Sequence, residues 1–149
     1  MMTDTLIELF ERDLQKLKTE IELYKAEENL WIVKEGIANS AGNLCLHLVG
    51  NLSHFIGATL GNTGYIRHRE DEFNLKNIPR QDLITNIENC VLIVKTTLQK
   101  LTADDLEKEF QQKVFDKSIN TEMMLMHLTT HLTYHLGQII ITGVCLINE

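Results

Sequence analysis

Between Thr121 and Ile147 the chain reads TEMMLMHLTTHLTYHLGQIIITGVCLI. No proline interrupts this stretch, which is expected to form one helix from about Asn120 or Thr121 to Ile147. His127, His131 and His135 recur in it at intervals of four. On a helix each such step turns only ~40°, so the three imidazoles form one row on one face. Neighbours in the row stand ~6 Å apart at Cβ, within reach of a common ion. The outer pair is separated by ~12 Å along the axis, too far to share an ion easily. One row therefore offers two ligands, and a third must come from another element.

His47 is the natural third donor. It lies within Leu44-Cys45-Leu46-His47-Leu48-Val49, where an imidazole is costly to bury without a partner. His54, seven residues on, returns to nearly the same helical face and is its rival. His127 is the rival within the row, and spacing does not decide either contest. His68 sits among loop charges and reads as solvated. Three neutral imidazoles at ~2.0–2.1 Å would leave a coordination position for water or substrate, the arrangement of catalytic rather than structural metals.

The rest of the chain is also helical in pattern. Leu6, Phe10, Leu14, Leu17, Ile21 and Tyr24 recur at steps of three and four, predicting a first helix from about Asp4 to Glu28. The charges around that stripe form a solvated face. Asn39-Ser40 offers N-cap chemistry for a second helix from Ala41 to Leu60, apolar almost all round and ended by Gly61-Asn62-Thr63-Gly64. Residues 61–79 read as an irregular, highly charged connection. A third helix follows from Arg80 to Lys100, then a short capped turn at Thr102 and Asp105, a polar stretch to Ile119, and the histidine helix. Four amphipathic segments without strands make an all-α helical bundle the economical solution, and the length of 149 residues suits a single domain over residues 1–149.

Composition excludes several classes of function. Net charge is −7, with 14 Lys and Arg spread among 21 acids, which argues against a nucleic-acid partner. The N-terminus lacks the basic-then-apolar pattern of a signal peptide. The longest nearly apolar stretch, Ile139 to Ile147, falls far short of the ~20 residues needed to cross a bilayer, so no membrane association is expected. Cys45, Cys90 and Cys145 share no CxxC or CxxH spacing and read as reduced core residues of a cytoplasmic protein.

Several motifs carry a family resemblance. His131-Leu132-Thr133-Tyr134-His135-Leu136-Gly137-Gln138 resembles the HxxxHxGQ motif of the DinB superfamily. Asn39-Ser40-Ala41-Gly42-Asn43-Leu44, continued by His47-Leu48-Val49-Gly50-Asn51-Leu52, resembles the NSxGNLxxHLxGNL signature of an uncharacterised DinB-like branch. Tyr65 to Phe73 resembles that branch's Arg-rich, acidic segment. The likeness extends from Leu30 to Ile147.

The resemblance implies a four-helix bundle in up-down-down-up order, often dimeric, carrying a triple-histidine metal site. By motif position the ligands are His47, His131 and His135, whereas His54 and His127 fall outside. Beside that site, Gly137 is expected to let another helix approach, and Gln138 to hydrogen-bond near the metal. Asn43 and Asn51, one turn either side of His47, are expected to orient it or a bound water.

Characterised relatives in the superfamily include thiol-dependent S-transferases and an isomerase. The leading expectation is therefore a metal-dependent enzyme, transferase-like, whose zinc or nickel ion activates a low-molecular-weight thiol or water for attack on a small-molecule substrate. A non-catalytic dimeric metal-binding bundle and a metal-dependent hydrolase are the alternatives, and a homodimer using the first and second helices is expected. No cysteine of the chain suits the nucleophile's role, and no general base is identifiable. Tyr134 points away from the histidine row. Glu70 and Glu72 could swing over the site and Arg67 and Arg69 could meet an anionic cosubstrate, although solvated loop charges are the default.

Overall fold

The computed structural model describes the backbone of residues 1–147 and the side chains of residues 1–146. It is all-helical. The elements are α1 (Met2–Leu23), α2 (Ala41–Leu52), α3 (Arg69–Asn74), α4 (Arg80–Leu98), α5 (Ala103–Glu107) and α6 (Thr121–Ile147), with a 3₁₀ turn at Glu27–Trp31. Among the described residues there is no strand, only an isolated bridge between Glu109 and Asn120. No helix among them is long and apolar enough to cross a membrane.

The helix limits follow from local chemistry. α1 stops at Leu23, earlier than its stripe predicts, because Tyr24 turns to extended backbone and is drawn into the core. Arg80 then donates to the carbonyls of Glu22 at 3.3 Å and Tyr24 at 2.5 Å, satisfying oxygens that the ended helix leaves over. Ser40 caps α2 as expected, its hydroxyl accepting from the Asn43 backbone N–H at 3.2 Å. Beyond Leu52 the same helix widens into a π-turn over Ser53–Ala58. It ends where Asn62 and Gly64 take φ values of 51° and 77°, a region these two residues tolerate. Thr102 and Asp105 form the expected reciprocal cap of α5.

The segment 61–79 is not wholly irregular. It contains α3, whose first turn carries Glu70, Asp71 and Glu72, favourably placed at a helix N-terminus. The Asn43 side-chain amide holds α3 against α2 by donating to the carbonyls of Glu72 at 3.0 Å and Leu75 at 2.8 Å. Charge density disguised this element because it is anchored by a side chain of another helix.

Specific contacts set the helix directions. Ion pairs Lys18–Glu88 at 2.7 Å and Lys95–Glu11 at 2.9 Å run α4 against α1. Hydrogen bonds from Thr133 to Asp13 at 2.6 Å and from the Tyr24 hydroxyl to the Ile139 carbonyl at 3.2 Å run α6 with α1. Gly57 faces Ile93 and Gly61 faces Thr97, so the end of α2 runs with α4. One apolar core joins the four long helices, with Leu6, Phe10, Leu48, Leu52, Ile87 and Leu125 fully buried in it.

Cys45 and Cys90 lie in that core, and burial pushes both thiols up to about 12. Cys145 departs from expectation: it is exposed, because it sits on the outer side of α6. The apolar stripes of α1 and α2 are covered by the rest of the chain. The large exposed apolar side chains instead include Met123, Met126, Tyr134, Ile141 and Val144 of α6.

Candidate metal centre

His47 projects from α2 towards the face of α6 that carries His131 and His135. One potential ligand nitrogen from each of the three rings lies within 4.8 Å of the others. His47 Nε2 and His131 Nε2 stand 3.2 Å apart. Two nitrogens bound at ~2.0–2.1 Å to one tetrahedral ion stand about 3.3 Å apart, so this pair already has the separation a metal requires. The rings meet edge to face, with centroids 4.6–5.2 Å apart, as rings converging on a point do.

The two rivals lie elsewhere. His54 is a further ~10 Å along the helix axis, a span of two turns. It turns to Gln112, whose side-chain oxygen is 3.0 Å from its Nε2. His127 packs edge-on against Phe115 and stands 6.2 Å from His131, ring to ring. His68 is exposed, as its charged surroundings suggest.

Supporting groups fix which nitrogens face inward. His47 Nδ1 is 3.0 Å from Glu72 Oε1, and the carboxylate accepts its proton. That tautomer leaves the Nε2 lone pair aimed at the cluster, the familiar carboxylate–histidine–metal relation. Gln138 Oε1 accepts from His135 Nδ1 at 2.7 Å and serves the same purpose for that ring, which bears out the expectation that Gln138 bonds near the cluster. His131 Nδ1 is buried with no hydrogen-bond partner, so this ring alone lacks such support.

Glu72 is the residue that sequence reasoning left among solvated charges. It is 6% exposed and clamped by Arg67, whose Nε and Nη2 donate to the two carboxylate oxygens at 2.8 Å each. Burial pushes its carboxyl up, but hydrogen bonds from Arg67 and His47 outweigh that and hold it below the usual range. Arg67 is thereby committed to an internal ion pair. Glu70 stays exposed, and Arg69 lies over the Phe73 ring at 5.4 Å. Phe73 itself covers His47, with ring centroids 5.0 Å apart.

Gly50 makes that arrangement possible. A Cβ there would lie 2.2 Å from Glu72 Oε2 and 2.7 Å from its Cδ, so only glycine lets α3 bring the carboxylate onto α2. Gly42 similarly admits the Trp31 ring, 2.8 Å from where a Cβ would sit. Gly137 differs from expectation, since a Cβ there would meet nothing within 4 Å. No helix approaches it. Asn43 acts on α3 rather than on His47, and Asn51 keeps a buried Oδ1 without a partner.

The electrostatics favour neutral donors. Burial, reinforced by His135, His47, His127 and Arg67, pushes His131 down to about 4. Burial lowers His135 as well, against an opposing hydrogen bond to the Gln138 side-chain oxygen. An imidazole must be neutral to ligate a metal, and these two are neutral at physiological pH without one. The donor set, three imidazoles with a preset tautomer in two of them, fits a divalent transition metal.

This chain belongs to a family described as a protein of unknown function, DUF1572, whose model matches residues 3–149. No curated protein matches the chain.

Proposed function

We propose that this member of DUF1572 is a metal-dependent enzyme holding one divalent ion, zinc or nickel, on His47, His131 and His135. The 3.2 Å approach of His47 Nε2 to His131 Nε2 carries the reading. A proton on one Nε2 would make this pair a simple hydrogen bond, but the nitrogen of a third imidazole, His135, lies within 4.8 Å of both, which supports a shared ion. Three protein ligands leave room for an exchangeable one, as catalytic sites do. When bound, the ion supplies Lewis acidity that keeps a thiol or a water deprotonated near neutral pH.

The chain's own residues then divide the work. Glu72 holds the His47 proton on Nδ1 and adds negative charge behind the ligand, while Arg67 balances that charge and keeps the carboxylate in place. Gln138 sets the His135 tautomer. Phe73 shields one side of His47 from water. The thiol-transfer chemistry of DinB relatives is an analogue for the reaction, and with Cys45 and Cys90 buried and the exposed Cys145 ten residues beyond His135, ~15 Å along α6, the nucleophile comes from a small-molecule cosubstrate. The pairwise helix directions support the up-down-down-up four-helix order of that superfamily, and the exposed Met123 and Met126 of α6, away from Tyr134 and Ile141, are where the expected second copy would pack.

Elemental analysis of untagged protein, beside a His131→Ala/His135→Ala variant checked for helicity by circular dichroism, tests the site. About one zinc or nickel per chain in the wild type, absent from a still-helical variant, is expected. A wild type that takes up neither metal would overturn the assignment.

A further inference from the structure

A cleft of about 540 Å³ opens beside the histidine cluster, between the segment before α2 and the outer face of α6. Ile37, Leu44, Tyr134, Gly137, Gln138 and Ile141 shape it, and no Asp, Glu, Lys or Arg lines it. Its size is that of small-molecule sites, and its walls are largely apolar with a few uncharged polar groups.

Two features mark it as built for a ligand. Gly137 sits in the interior of a 27-residue helix, where glycine weakens the helix, yet apart from its own helix's backbone nothing among the described residues comes within 4 Å of its absent Cβ. The space it leaves is cleft space. Gln138, its neighbour, accepts from His135 Nδ1 through Oε1, which leaves the amide N–H groups for a carbonyl or hydroxyl in the cleft. Asn39 on the opposite wall adds a second uncharged amide.

We infer that this cleft binds an uncharged, mainly apolar small molecule bearing a carbonyl or hydroxyl, and places it one hydrogen bond away from His135. The molecule is the electrophilic substrate rather than the anionic cosubstrate, because no Lys or Arg lines the cleft to receive a carboxylate or phosphate. Its part in a reaction rests on the metal reading. Its binding does not.

The neutral fluorophore N-phenyl-1-naphthylamine and its sulfonated counterpart 8-anilinonaphthalene-1-sulfonate are titrated into metal-free and zinc-treated full-length protein. One neutral dye per chain is expected, with the sulfonate at least about tenfold weaker. Gly137→Leu, which fills the cleft from an open position, should raise the dye's Kd at least about tenfold while helicity is kept. Ile141→Ser, at a residue 64% exposed and so dispensable to folding, should weaken the dye in the same direction. Equal binding by a folded Gly137→Leu variant overturns the proposal, as does preference for the sulfonate. One dye shared by two chains in a sedimenting dimer also overturns it, since a second copy would then be the occupant. Dye binding in protein that takes up neither zinc nor nickel supports the cleft and refutes the metal site. Zinc uptake without dye binding does the reverse.

Discussion

Replacing Gly50 by alanine is expected to damage the metal centre without touching any ligand. On helix propensity alone the change should stabilise α2 by about 1 kcal/mol, since glycine is poor in a helix interior. Here the new methyl would sit 2.2 Å from Glu72 Oε2 and 2.7 Å from Cδ, well inside contact distance. The carboxylate must move by an ångström or more, away from both His47 Nδ1 at 3.0 Å and Arg67 at 2.8 Å. Breaking a buried ion pair costs about 3–5 kcal/mol, so the net effect is a loss of about 2–4 kcal/mol. Losing the carboxylate behind a ligating imidazole weakens metal binding by about 10–100-fold. Urea denaturation of metal-free protein reads the first effect, and competition for zinc against a chromophoric chelator reads the second. A Gly50→Ala protein that is more stable than the wild type, with zinc affinity unchanged, would refute the role assigned to Glu72.

Two further outcomes follow from the same geometry. His131 is held at about 4 when folded against the ordinary 6.5, so the unfolded chain takes up a proton that the folded chain refuses. Metal-free protein should therefore lose stability as pH falls from about 6.5 towards about 4, by at most about 3 kcal/mol, and His131→Gln should flatten that slope in urea midpoints measured across the range. Glu72 adds a loss at lower pH, as its carboxyl protonates below the usual range. Gly137→Ala, whose methyl meets open space, should raise stability by about 1 kcal/mol in thermal or urea unfolding. Destabilisation there would mean that another chain segment occupies the cleft.

The histidine row, the long α6 and the apolar stripe of α1 were legible in the amino-acid order because each is a local, periodic property. Backbone hydrogen bonds four residues apart set which side chains share a face, whatever the rest of the chain does. The N-cap at Ser40 and the reciprocal cap at Thr102 and Asp105 were legible for the same reason. Where the elements end was less so: α1 breaks at Tyr24 because a hydroxyl 115 positions from its acceptor and the Arg80 guanidinium compete for that stretch.

By itself, then, the sequence determined an all-helical chain with two adjacent imidazoles ready to share an ion. Only the tertiary structure placed His47 rather than His54 opposite them, because the side-by-side packing of α2 and α6 selects one level along the helix axis. The same packing turned Glu72 from a loop charge into a buried partner of His47. That depends on a missing Cβ at Gly50 and an Asn43 amide, contacts between residues remote in the chain that no local periodicity encodes. Gly137 shows the converse. Its place beside the His row is written in the motif, but only the surrounding helices reveal that its missing side chain opens a cleft rather than admits a neighbour.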